Sequence, residues 1–231
     1  MLSIIPTPIG NLKDITLRAL EVLKEADVIV CEDTRHSQKL LKHYEIDKKL
    51  VSYHEHSNES RTKQILDWLK EDKKIALISD AGMPLISDPG FRLVQEVVLK
   101  KYPIEVLPGA QAAVTGLVLS GLATDAFSFL GFLAPKTVRR KKEIEGYKIY
   151  TTTLIFYESP HRLASMLADL YDVLGDREAA VTRELTKKFE EAKRGTLSEL
   201  AAFYKDKKVQ GEIVVVVAGY ERKKLFAKVG V

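Results

Sequence analysis

Residues 1–107 repeat one pattern: short apolar runs alternate with segments whose apolar residues recur at helical spacing. Leu2 to Pro6, Val28 to Cys31, Leu50 to Tyr53, Ile75 to Ile78 and Ile104 to Leu107 read as strands. Between them, Leu17, Leu20, Leu23 and Ala26, then Thr34 to Tyr44, then Ile65, Leu66 and Leu69 read as helices, as do Leu93, Val94, Val97 and Val98. A strand this short and uniformly apolar is buried on both faces. Alternation of such strands with helices therefore predicts a parallel sheet covered by helices on each side.

After Gly121 the pattern changes. Phe127, Phe129 and Phe132, and later Leu154 to Tyr157, mark strands around a basic helical stretch. Ser159-Pro160 reads as a helix start, followed by Leu163, Met166, Leu167, Leu170, Val173 and Leu174 at helical spacing. Ala179 to Leu185, Lys193 to Thr196 and Glu212 to Ala218 supply further strands. The expected organisation is an α/β domain over residues 1–122 and a smaller mixed α+β domain over residues 123–231.

The single Cys31 excludes an internal disulfide. It lies in an apolar strand and reads as packing, and a lone cysteine fits a reducing cytoplasm. No apolar run approaches the roughly 20 residues of a membrane span, and the N-terminus lacks the marks of a signal peptide. Residues 1–106 carry a net charge of −1 and residues 107–231 of +5. Arg139 to Lys142, Lys205 to Lys208 and Arg222 to Lys224 contribute most visibly. Such a half suits a polyanionic partner, RNA or DNA, or simply a Lys/Glu-rich surface.

Four loops follow the predicted strands, where open α/β sheets bind ligands. Pro6-Thr7-Pro8-Ile9-Gly10-Asn11 is stiff and brings backbone close to whatever lies above it. Glu32-Asp33-Thr34-Arg35 sets two carboxylates beside an arginine; its plainer reading is a helix cap, with Arg35 paired to Glu32. Ser79 to Gly90 holds two Asp, two Gly and two Pro in a connection far longer than a plain αβ turn needs. Pro108-Gly109-Ala110-Gln111-Ala112-Ala113 lets a helix start approach a ligand, or makes a tight packing corner. Neither G-x-G-x-x-G nor G-x-x-x-x-G-K-[ST] occurs, so dinucleotide and Walker-type sites are unsupported.

In the second half, Tyr157 to Arg162 and Arg183 to Lys187 are dense in ionisable groups beside apolar strands. His54-Glu55-His56 places two imidazoles on one strand face, but no further ligands fall at zinc-like spacing, and no metal is expected. No nucleophile elbow is present.

Taken together, these loops resemble the ribosomal RNA small subunit methyltransferase I family. The resemblance rests on Thr7 to Leu12 with Asp14 to Ala19, Glu32 to Arg35, Ser79 to Gly90, Ser120 to Leu122, Tyr157 to Arg162 and Arg183 to Lys187, in order along the chain. It implies a two-domain tetrapyrrole-methylase-like fold and a homodimer. It implies S-adenosylmethionine held between the domains, and 2′-O-methylation of a cytidine in the decoding centre of 16S rRNA within the small subunit. DNA and membranes are not implied partners. Met83, Gln111 and Phe189 depart from the residues usual in the family, and many relatives continue beyond the position of Val231. Any RNA contact made by such a tail would then be replaced or absent.

On that resemblance, Pro8, Ile9, Gly10, Asp80, Gly82, Met83, Ile86, Gln111, Ala112, Ala113 and Tyr157 are expected to hold the cofactor. Glu32, Arg35, Glu158, Arg183, Glu184 and Lys187 are expected to face the nucleotide, with a carboxylate among Glu32, Glu158 and Glu184 as base. The rivals are a methylase of a small tetrapyrrole and a non-catalytic rRNA-binding assembly factor. The Arg/Lys-rich second half favours RNA over the tetrapyrrole.

Overall fold

A computed structural model describes residues 1–54 and 59–221. Glu55 and His56 of the histidine motif, and the Arg222 to Lys224 cluster, lie outside the described residues. The chain divides into two compact units, Met1–Gln111 and Ala112–Val231.

In the first unit, β1 (Leu2–Ile5), β2 (Val28–Cys31), β3 (Lys49–Ser52), β4 (Ile75–Ile78) and β5 (Ile104–Val106) form one sheet. Its order is β3-β2-β4-β1-β5, and every pairing is parallel. Alternate residues of each strand feed opposite cores, as the two-residue strand period requires. Leu2, Val28, Val30 and Leu77 pack with α3 (Glu59–Lys70) and α4 (Phe91–Leu99). Ile5, Ile29, Cys31 and Ile78 pack with α1 (Leu17–Glu25) and α2 (Thr34–His43). Apolar side chains on both faces explain why the central strands β2 and β4 read as unbroken apolar runs, whereas the edge strands β3 and β5 carry Lys49, Ser52 and Glu105. Cys31 is fully buried, and burial chiefly pushes its thiol pKa up, so the residue is packing rather than a nucleophile.

The second unit begins with α5 (Ala112–Ser120), followed by β6 (Phe127–Phe132), α6 (Thr137–Glu145), β7 (Thr153–Glu158) and α7 (Leu163–Leu174). It continues with β8 (Glu178–Arg183), β9 (Glu191–Thr196), α8 (Leu197–Tyr204) and β10 (Ile213–Val217). The sheet order is β6-β7-β10-β8-β9, with β6 and β7 parallel and the other pairs antiparallel. Helices α6, α7 and α8 cover one face through Ile144, Leu163, Leu167, Leu170 and Leu200, which meet Leu154, Phe156 and Val215.

Helix α5 covers the other face. A Cβ on Gly116 would lie 2.9 Å from Thr182 Oγ1 and 3.0 Å from Val214 Cβ, so this close approach requires glycine. Arg194 on β9 donates to the carbonyls of Leu119 and Ser120, tying down the helix end. These contacts put α5 with the second unit, whereas the sequence reading divides the chain after Leu122.

Two local expectations change. Helix α7 starts at Leu163 rather than at Ser159-Pro160. The Ser159 N–H is taken by Glu158 Oε1 at 2.7 Å, and residues 159–162 close a turn through Arg162 N–H to Ser159 O at 3.1 Å. The run Arg139 to Lys142 is not a uniformly solvated cationic face. Arg140 is 1% exposed and donates to Asp169 at 2.7 Å, with further bonds to Ser165, Thr137 and Pro135. Lys141 pairs with Asp172 at 2.7 Å.

Candidate functional site

Because every strand of the first sheet is parallel, the loops after β1, β2, β4 and β5 all emerge at its carboxyl edge. Three of them interlock. The Thr7 N–H donates to Gly82 O and the Gly82 N–H to Thr7 O, both at 2.9 Å. Thr7 Oγ1 donates to Ser79 O, and Ser79 Oγ to Gly82 O, each at 3.0 Å.

Glycine is required twice. Gly82 has φ +82°, and a Cβ there would meet Ile9 Cγ2 at 3.2 Å and Ala110 O at 3.7 Å. A Cβ on Gly109 would lie 2.8 Å from Pro6 Cβ. Pro8, Ile9, Gly82 and Ala110 are thereby drawn together from three separate stretches of chain. Met83 and Ile86 lie on the same β4 loop, where Leu85 (φ +71°) and Ser87 (φ +64°) both occupy the left-handed region. Such backbone costs energy for non-glycine residues and persists where its surroundings enforce it. Gly10 is exposed beside this knot.

The fourth loop adds charge. Asp33 caps α2, accepting from the Arg35 N–H at 2.8 Å and from the Arg35 guanidinium at 3.2 and 3.0 Å. Arg35 thus pairs with Asp33 and not with Glu32. Those bonds hold the Asp33 carboxyl down at about 2. Asp33 N–H also donates to Asp80 Oδ1 at 3.3 Å, joining the β2 and β4 loops.

Glu32 behaves oppositely: burial, and then the charge of Asp80, pushes its pKa up. Asp88, absent from the sequence-derived site residues, moves further. Burial, and then the Glu32 charge, takes it from 3.8 to about 6. The sequence signal for Asp88 is weak, because an Asp before Pro89-Gly90 reads as an ordinary turn residue.

A pH test follows from Asp88. Its folded pKa exceeds its unfolded one, so the native state holds the extra proton, and stability falls as pH rises through about 4 to 6. Asp88→Asn has no charge to bury. Its stability relative to wild type is expected to grow as pH rises through that window and then level off. Urea midpoints measured across the window check this.

In the second unit, Glu158 and Arg183 stand in one row across β10, since both register with Ile213. Tyr157 and Glu158 end β7, and the Arg183 to Lys187 loop leaves β8 at the same edge. The Glu158 side chain is wholly buried; its Oε1 meets Arg162 at 2.5 Å, and its Oε2 has no partner among the described residues.

Glu184 (φ +51°) and Thr186 (φ +65°) are again left-handed. Glu184 Oε1 accepts from Lys187 Nζ at 2.9 Å and from the Glu212 N–H at 3.1 Å; the lysine's bond is the main reason its pKa falls. Arg183 pairs with Glu191 at 2.7 Å. Tyr157 packs edge-on against Phe129 and Phe132. Gln111 closes the first unit, and Ala112 and Ala113 open α5. Among the described residues no group of three or more His, Cys, Asp or Glu is placed to hold a metal, and no helix is long and apolar enough to cross a membrane.

The tetrapyrrole (corrin/porphyrin) methylases match residues 1–201. The ribosomal RNA small subunit methyltransferase I of Bacillus subtilis (strain 168) is 50% identical over 219 residues, 95% of this chain and 75% of that protein. The protein of the same name from Thermotoga maritima is 44% identical over 220 residues, 95% of this chain and 99% of that one. Among solved structures, diphthine synthase superposes with a TM-score of 0.69 at 16% identity, covering 94% of this chain and 89% of that one. Uroporphyrin-III C-methyl transferase from Thermus thermophilus, complexed with S-adenyl homocysteine, gives 0.64 at 17%, covering 94% and 96%. The first unit's interlocked loops and the second unit's ionisable edge therefore sit in a tetrapyrrole-methylase fold, and the chain belongs to the ribosomal RNA small subunit methyltransferase I family.

Proposed function

We propose that the protein transfers a methyl group from S-adenosylmethionine to the 2′-hydroxyl of a cytidine in the decoding centre of 16S rRNA, acting on the small ribosomal subunit in the cytoplasm. The observation that carries this reading is the knot of loops over the carboxyl edge of the first sheet, in a chain half identical to a named rRNA methyltransferase.

The residues present fit such a donor. Gly82 and Gly109 let the β1, β4 and β5 loops close on Ile9, Ala110 and Pro6, which fixes the backbone above the sheet edge. Glu32, Asp80 and Asp88 gather negative charge: Asp80 disfavours ionisation of Glu32, and both disfavour that of Asp88. A ligand carrying a sulfonium and an ammonium relieves that repulsion. Bound there, the donor supplies an electrophilic methyl group.

The chain's task is then orientation and proton removal. Pro8, Ile9, Gly10, Asp80, Gly82, Met83, Ile86, Gln111, Ala112, Ala113 and Tyr157 are the residues proposed to hold the donor. Arg35, Glu158, Arg183, Glu184 and Lys187 contact the nucleotide. Fixing two reactants in line is worth about 7–11 kcal/mol in favourable systems.

Glu32 is the best-suited base of the three carboxylates. Burial raises its proton affinity. Glu158 is enclosed with Arg162, and Glu184 is held in its ionised form by Lys187. Glu32→Gln is expected to lower kcat by about 10²–10⁴-fold and to weaken donor binding far less. Glu158→Gln and Glu184→Gln, assayed in parallel, are expected to act mainly through KM for the subunit. Full activity of Glu32→Gln would remove it from the role. Mapping ribose methylation in small-subunit rRNA with and without the protein tests the whole reading; an unchanged map overturns it.

The protein is further proposed to act as a homodimer. Phe127 and Phe132 are exposed on β6, an edge strand of the second sheet, and offer an apolar surface for a second copy.

A further inference from the structure

The second unit gathers lysines around one aromatic ring. Phe203, in the last turn of α8, has Lys193 Nζ of β9 at 4.8 Å from its ring centre and Lys207 Nζ at 4.2 Å. Attraction between an ammonium and a ring face accounts for either contact singly. The shared ring keeps the two ammonium groups within about 9 Å of each other, close enough for neighbouring contacts on one RNA backbone. Lys141 and Lys187 of this unit are neutralised, by Asp172 and by Glu184 with Glu212. Among the described residues, neither Lys193 nor Lys207 makes a salt bridge. Lys205 and Lys208 add charge on either side, against the single carboxylate of Asp206.

The position of this cluster matters as much as its charge. Lys193 lies two residues along β9 from Glu191, the partner of Arg183. Beyond Lys208 the chain reaches Gln210, whose carbonyl accepts from Arg183 at 3.4 Å, and Glu212, whose N–H donates to Glu184. The cluster therefore adjoins the Arg183 to Lys187 loop. Exposed lysines are depleted in protein–protein interfaces, whereas unpaired cations near one another suit a polyanion.

We propose that Lys193 and Lys207, converged by the Phe203 ring, form a docking site for an RNA phosphate beside the Arg183 to Lys187 loop. This inference rests on the rRNA substrate proposed above. Phe203 is a positioning residue here, and the two ammonium groups make the contact.

The test uses the full chain and purified small ribosomal subunits that lack the modification. Binding is measured over a range of salt, together with kcat, KM and donor affinity. For Lys193→Gln/Lys207→Gln, the slope of log affinity against log salt should become shallower by roughly 0.7–0.9 for each phosphate no longer engaged. KM for subunits should rise severalfold, with kcat and donor affinity unchanged. Lys193→Arg/Lys207→Arg should restore the wild-type slope, which a loss of folding in the glutamine variant could not explain. A glutamine variant with wild-type slope and KM overturns the docking site while leaving the rRNA reading standing. A wild-type protein that does not bind small subunits overturns that reading, and the site with it.

Discussion

Gly82→Val is expected to abolish useful binding of S-adenosylmethionine while the protein stays folded. A β-branched residue at φ +82° carries about 1–3 kcal/mol of backbone strain. Its Cβ also starts 3.2 Å from Ile9 Cγ2, and crowding of this kind typically costs a further ~1–3 kcal/mol. The loop can escape only by giving up the paired Thr7–Gly82 bonds, so the binding-competent arrangement becomes a minor population. Donor affinity measured by calorimetry should fall on the order of 100-fold or more. Circular dichroism should be unchanged, because the sheet below is buried independently of the loop. Wild-type affinity in this variant would remove the β4 loop from the donor site.

The largest stability effect is expected at Asp169→Ala. Arg140 is almost completely buried, and Asp169 accepts from both its Nε and Nη2, at 2.7 and 2.6 Å. Removing the carboxylate strands a guanidinium away from water, and breaking a buried pair in this way costs about 3–5 kcal/mol. Denaturant midpoints should show it. Replacing both partners by apolar residues of similar volume, Arg140→Met with Asp169→Leu, should recover much of the loss, because no charge is then left buried. If the single variant is as stable as wild type, the pair is not the closed contact described.

These two sites differ in how far the amino-acid order reveals them. The β4 loop stands out in the chain because two Gly, two Pro and two Asp crowd into one connection after an apolar strand. Arg140 is invisible there: among four consecutive basic residues nothing marks the one that turns inward. Its burial follows from where α6 meets α7, a tertiary fact. Helix α5 is similar. Its sequence is apolar nearly all round, so it marks a buried helix without saying which sheet it covers; Gly116 against Val214 decides that.

The first sheet is the most legible part, because β2 and β4, buried on both faces, are unbroken apolar runs. The acidic constellation was half legible. Glu32 and Asp80 follow strands, but the shift at Asp88 depends on burial, on Glu32 from the β2 loop, and on Asp80 at the other end of its own loop. At Ser159-Pro160 a sound local signal for a helix start gives a single turn, closed by Arg162 N–H to Ser159 O, before α7 begins at Leu163.

The paired Thr7 and Gly82, and the contact of Gly109 with Pro6, also bear on how the protein is made. These loops come from the beginning, middle and end of the first unit, and their contacts close only when β4 and then β5 have joined β1. Such contacts between distant parts of the chain form late, because a long loop must first be ordered. As the chain emerges during synthesis, its first hundred residues can hold four strands and the Thr7–Gly82 pair and still lack the contacts of Gly109 and Ala110. The ability to hold a methyl donor should therefore appear as a final step of folding, after Gly109 has taken its place, and no fragment ending before that residue should display it.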